Sequence, residues 1–261
     1  MEASMNALRE RPVGIFDSGV GGISVLRELR TQLPQENVIY YGDTAYAPYG
    51  TKPPEVVMAR VRQVMAELLD RDVKAVVIAC NTATSVAAAT LRAEMTLPII
   101  GMEPALKPAH QLRHGGRILV MATPLTLRLP KFEALMTRYG EGASPLPCPG
   151  LMELVEEGKL DGPEMEDYLH RLFAPYRDTP VDAVVLGCTH YVFLHPILRR
   201  LLPAETAILD GNAGAIRQLR RVLEERNALR PEGASGCVEL HTSGDEALVL
   251  PRMKQLLQLP Q

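Results

Sequence analysis

The segment VKAVVIACNTAT (Val73–Thr84) has a near-copy in VDAVVLGCTHY (Val181–Tyr191). From Ala75 and from Ala183 onward each is an unbroken apolar run that delivers a cysteine, followed at once by polar residues able to cap a helix. A Val/Ile/Leu run without alternation has no wet face, so it suits a strand covered on both sides, the situation of parallel sheets under helices. A chain that builds this strand end twice is constrained towards two related α/β halves. GIFDS (14–18) and LVMAT (119–123) occupy similar places upstream of the two copies and extend the repeat.

The rest of the chain agrees. VGIF, NVIYYGD, KAVVIAC, PIIGM, RILVMAT, DAVVLGC, AILDG and CVELHTS read as strands, most of them followed by helical stretches. In PEVVMARVRQVMAELLDRD, Val57, Val61, Val64, Met65 and Leu68 keep the rhythm of one buried helical stripe. PIIGMEPALKP (98–108) and the stretch from Asp210 to Ala213 punctuate the pattern. The expected architecture is α/β, with two pseudo-symmetric domains of mainly parallel sheet and a ligand cleft between their strand tips. The first domain takes residues 1–98 and 212–261, and the second takes 99–211.

Composition removes several function classes. Basic residues are scattered and the formal net charge is −3, so no nucleic-acid footprint stands out. Arg217, Arg220 and Arg221, with Glu224 and Glu225 close behind, read as a solvated helix face. The first eleven residues lack the apolar core of a secretory signal, and no apolar run approaches a membrane span. Four cysteines without framework spacing suit free thiols in the cytoplasm.

Two thiols at matching strand ends admit several chemistries. A permanent disulfide sits poorly with a reducing compartment. Zinc would use Cys188 and His190, but no C-x-x-C or H-x-x-x-H spacing accompanies them. The third option is acid–base work on both faces of one carbon, one thiolate removing a proton while a thiol delivers another from the opposite side. A thiol at a helix start also meets backbone N–H groups that favour thiolate. FDSGVGGIS (16–24) is a glycine turn that fits neither phosphate-binding pattern, yet it brings Asp17 and Ser18 to the cleft. GDTAYAPYGTK (42–52) offers Asp43, Tyr49 and Gly50 as a cleft wall, and His190 belongs to the repeated motif itself. His110, His114, His170, His195 and His241 have no such setting, and Cys148 and Cys237 are read as packing residues.

FDSGVGG, GDTAYAPYG, ACNTAT, GCTHY and the late TSGD, in this order over most of the chain, resemble the glutamate racemases. That resemblance implies a cofactor-independent isomerase that makes D-glutamate for bacterial peptidoglycan. It implies Cys80 as the base acting on D-glutamate and Cys188 as the base acting on L-glutamate, with Asp17 and His190 assisting them. Ser18, Tyr49, Gly50, Asn81, Thr82, Thr123 and Thr189 become the groups that hold substrate, and Asp43 and Glu156 auxiliary acids. Two departures stand out: Val192-Phe193-Leu194-His195 follows GCTHY where the family commonly has proline and leucine, and RILVMATPLT lacks the glycine often found before the threonine. No metal is expected, nor a nucleic-acid or membrane partner; a homodimer is the oligomeric candidate. Rival expectations are an aspartate or other amino-acid racemase, a Cys188–His190 hydrolase or transferase, and a non-catalytic binding module.

Overall fold

The computed structural model describes residues 2–259. Nine strands run through them: β1 (Val13–Asp17), β2 (Val38–Gly42), β3 (Ala75–Ile78), β4 (Ile99–Gly101), β5 (Arg117–Ala122), β6 (Ala143–Pro147), β7 (Val181–Leu186), β8 (Ala207–Asp210) and β9 (Val238–Thr242). They form two sheets, ordered β4-β3-β1-β2-β9 and β6-β5-β7-β8. Every strand pairing in both sheets is parallel. Read from the matching end, the second order is β8-β7-β5-β6, which repeats the first as far as β2 and lacks only a counterpart of β9.

The repeat extends to single hydrogen bonds. Ala79 N–H donates to the Phe16 carbonyl, and Gly187 N–H donates to the Met121 carbonyl, each at 2.7 Å. Asp43 N–H donates to Asp17 O and Cys148 N–H to Ala122 O. Cys80 and Cys188 are therefore equivalent, as are Asp17 and Ala122, Ser18 and Thr123, and Asp43 and Cys148. In each half the chain first runs to one side of a central strand and then returns to the other. The two switch points, between β1 and β3 and between β5 and β7, are where an open parallel sheet leaves a crevice beyond its carboxyl ends. Each cysteine follows one of those inner strands.

β4 pairs with β3 from Val76↔Ile99 to Ile78↔Gly101. Residues 99–101 thus pair into the first sheet, one strand beyond the expected boundary at 98. β6 carries Pro145 and Pro147, which masked it in the sequence; without N–H groups they are tolerated because β6 lies at a sheet edge. In the helix Pro54–Asp70 the stripe Val57, Val61, Val64, Met65 and Leu68 is wholly buried. Such burial contributes roughly 1.5–3 kcal/mol per side chain. One continuous apolar core includes residues of both sheets, from Val13 and Val77 to Leu119 and Val184, so the halves share packing as well as a cleft.

Candidate active site

Cys80 is the N-cap of the helix Asn81–Glu94, and its Sγ accepts from Ala83 N–H at 3.4 Å. Cys188 heads only a short 3-10 turn, Thr189–Leu194, and makes no capping bond. Both are nearly buried, at 7% and 8% exposure, and both line one cavity of about 30 Å³ between the halves. Burial pushes the Cys80 thiol up to about 12, and the Asp17 carboxylate pushes the same way. The Ser18 hydroxyl and Ala83 N–H oppose this and lose. The helix start does favour thiolate at Cys80, through Ala83 N–H, but desolvation of the charged form outweighs that contribution.

Beside Cys188, His190 Nδ1 stands 3.6 Å from Sγ while Nε2 meets Glu156 Oε1 at 2.7 Å. Burial alone would push His190 down, but Cys188 and Glu156 together hold it well above the usual imidazole range. Burial likewise works against the Glu156 charge. The His190 contact, Val20 N–H and Arg252 overcome it and keep the carboxyl below its ordinary range. Glu156 Oε1 accepts from Val20 N–H at 2.7 Å, and Gly21 N–H closes on His190 Nε2 at 3.2 Å. These contacts account for the glycine turn. A Cβ at Gly19 would collide with the Glu156 carboxylate, and one at Gly21 with the His190 ring. Neither glycine has positive φ, so the requirement is close approach rather than conformation.

Asp17 is fully buried, accepting from Gly19 N–H at 2.8 Å and from the Thr189 hydroxyl at 3.1 Å. Burial raises its pKa, with His190 and the two hydrogen bonds opposing. Across the cavity, Tyr49 presents its ring while its hydroxyl donates to Asp43 Oδ2 at 2.5 Å. Asp43 is held in turn by Arg60, whose Nη2 lies 2.7 Å from Oδ1. Thr82, Thr123 and Thr126 form a ring of hydroxyls at 2.9–3.0 Å that joins the halves, and Gly50 lies against Thr123. Asn81 Oδ1 is buried with no hydrogen-bond partner and belongs to a cavity-lining residue. An orphaned acceptor at such a place suits a ligand donor.

Of the residues expected from sequence, Ser18, Tyr49, Gly50, Asn81, Thr82 and Thr123 line the cavity with both cysteines. Thr189 and His190 line it as well. Asp17, Glu156 and Asp43 are not on its wall; they stand behind Thr189, His190 and Tyr49 respectively. Sequence reasoning missed Cys148, Met152 and Glu153, which also line it, and Thr126 and Arg60 behind the wall. Reading Cys148 as a packing residue was incomplete: its thiol donates to Leu146 O at 3.2 Å, yet the residue reaches the cavity. Its position after β6, matching Asp43 after β2, was the available signal.

The sequence model of the Asp/Glu/Hydantoin racemase family matches residues 21–219. A glutamate racemase of Bifidobacterium adolescentis is 50% identical over 251 residues, covering 94% of this chain and 97% of the relative. The crystal structure of Francisella tularensis glutamate racemase in complex with D-glutamate superposes with a TM-score of 0.81 at 26% identity, covering 97% of this chain and 96% of that one. The Escherichia coli glutamate racemase, in complex with L-glutamate and the activator UDP-MurNAc-ala, gives 0.82 at 30% identity over 94% and 95%. The chain belongs to the Asp/Glu/hydantoin racemase family and, within it, to the glutamate racemases.

Proposed function

We propose that this chain interconverts L- and D-glutamate by proton transfer between Cys80 and Cys188, without a cofactor. The observation that carries the reading is that two thiols from equivalent strand ends of two sheets line a single cavity. A hydrolase or transferase built on Cys188 and His190 has no use for the second thiol. Glutamate as substrate is supported by the relatives named above. Production of D-glutamate for peptidoglycan in the cytoplasm completes the reading, in keeping with free cysteines and, among the described residues, no helix long and apolar enough to cross a membrane.

With its pKa near 12, Cys80 rests as a thiol. When L-glutamate binds, Cys188 removes the α-proton and Cys80 delivers one to the opposite face. The product state, thiol at Cys188 and thiolate at Cys80, is the form that accepts D-glutamate for the reverse reaction. His190 faces Cys188 through Nδ1 and steadies the sulfur whenever it carries charge. Among the described residues, no lysine or arginine lines the cavity. Negative charge developing at the α-carbon and carboxylates is instead met by neutral groups on the wall: Ser18, Asn81, Thr82, Thr123, Thr189 and the N–H groups opening the helix Asn81–Glu94. The cavity has the room of about one or two waters, so the halves part to admit an amino acid and close around it, excluding solvent. The bodies that part are residues 1–101 with 212–261, and 102–211. The membership of β4 and β9 in the first sheet supports this division.

The test uses glutamate of each hand in deuterated water. Wild type should place deuterium at the α-carbon of inverted product, with little label in unreacted substrate at early times. Cys80→Ser should stop inversion yet still exchange the α-hydrogen of L-glutamate. Cys188→Ser should stop inversion yet still exchange D-glutamate. Inversion surviving either substitution overturns the mechanism.

A further inference from the structure

Arg252 lies on the helix Glu246–Leu257, far in sequence from either thiol. Its Nη1 donates to the backbone carbonyl of Glu156, the last residue of the helix Leu151–Glu156. A terminal helix carbonyl lacks an intrahelical partner, so this bond fixes where the helix ends. A second observation is independent of that bond. Gly158 has φ of +80°, and a Cβ there would lie 2.7 Å from Arg252 Nη1. The backbone after Glu156 is shaped to let the guanidinium approach. From Glu156 the contacts continue through Oε1 to His190 Nε2 at 2.7 Å and from Nδ1 to Cys188 Sγ at 3.6 Å. Val20 N–H is the other donor on Glu156 Oε1, so the carboxylate is held from the first half and its backbone from Arg252.

We infer that Arg252 is a positioning residue for the Cys188 side of the reaction, acting through Glu156 and His190 and leaving the Cys80 side unaffected. The inference rests on the two-thiol reading above. The C-terminal helix, whose strand partner β9 has no counterpart in the second half, thereby steers one thiol of a duplicated pair.

The half-reactions isolate the effect. In a Cys80→Ser background, exchange of L-glutamate reports Cys188; in a Cys188→Ser background, exchange of D-glutamate reports Cys80. Arg252→Met keeps the aliphatic stem and removes the donor. It should slow L-glutamate exchange about 10-fold, the scale of a small misplacement of a reacting group, and leave D-glutamate exchange within about two-fold. Arg252→Lys, which restores a charged donor, should recover most of the loss. A merely structural role would slow both half-reactions together. Equal loss in both, no loss in either, or no recovery with lysine overturns the inference. Should Arg252→Met fail to fold, Arg252→Gln, too short to reach the Glu156 carbonyl, takes its place: L-glutamate exchange slowed more than D-glutamate exchange supports the inference, and equal slowing of both overturns it. If instead the single cysteine variants still invert glutamate, the two-thiol reading has failed, and the Arg252 result is not what sank it.

Discussion

At matching positions the two halves carry different chemistry on the same backbone. Asp17 in the first half matches Ala122 in the second, Ser18 matches Thr123, and Asp43 matches Cys148. Cys80 is capped into a helix of 14 residues and raised by burial, whereas Cys188 begins a 3-10 turn with an imidazole at 3.6 Å. A symmetric reaction thus proceeds in a site that is symmetric only as a scaffold. Physics permits this. Enantiomers have equal free energy in water, so kcat/KM must be the same in both directions whatever the site looks like. Asymmetry can appear only in kcat and KM separately and in the half-reactions.

The largest break in the comparison should come from Gly21→Ala. The added methyl occupies the place of the His190 ring and must displace it, disturbing its contact with Cys188. A displacement of that kind costs on the order of 10²-fold in rate, read as L-glutamate exchange in the Cys80→Ser background. D-glutamate exchange in the Cys188→Ser background should suffer much less. Equal damage to both would mean that the glycine turn serves the whole cleft rather than its His190 side.

That contact also marks where sequence reading ran out. The duplicated strands, the cysteines and the cleft were legible because they rest on local apolar runs and a repeat within the chain. The purpose of the glycines was not, since Val20 and Glu156 are 136 residues apart and meet only after both halves fold. Arg60 and Thr126 were hidden for a similar reason. Arg60 looks like any exposed position on an amphipathic helix, and Thr126 like an ordinary residue of the first turn after Pro124. Nothing local marks a residue that acts by holding another. Asp43 was legible as an acid near the cleft, but only the structure shows its carboxylate taken up by Arg60 and Tyr49.

Asp17→Asn sharpens the comparison with a smaller effect of opposite signs. The native carboxyl has a raised pKa, so between its ordinary value and the raised one the folded protein binds more protons than the unfolded chain. Stability therefore falls as pH rises through that window, and the full cost persists above it. Asparagine removes the cost: at neutral pH the variant should gain about 1 kcal/mol, or roughly 2–4 °C in Tm. The gain should vanish below the ordinary aspartate range. Without the Asp17 charge the Cys80 thiol should titrate lower. The rising limb of the pH profile of kcat for the D-to-L direction should then move to lower pH, while that of kcat for the L-to-D direction stays nearly fixed. A variant no more stable than wild type at neutral pH would show that the hydrogen bonds from Gly19 and Thr189 already offset the burial.

The mildest change tests the hydroxyl ring that joins the halves. Thr126 is buried behind Thr82 and Thr123, and the ring they form uses each hydroxyl proton internally. For Thr82 and Thr123 to donate to a substrate carboxylate the ring must open, and Thr126 then donates to one of the two oxygens that have turned away. Thr126→Val keeps the shape and deletes that donor. One net hydrogen bond is worth about 0.5–1.5 kcal/mol, so KM for both enantiomers should rise by roughly 2- to 13-fold. Because Thr82 belongs to one half and Thr123 to the other, both half-reactions should weaken alike, unlike the response to Gly21→Ala. A Thr126→Val enzyme that loses only one half-reaction would show that the hydroxyl ring, too, belongs to one thiol.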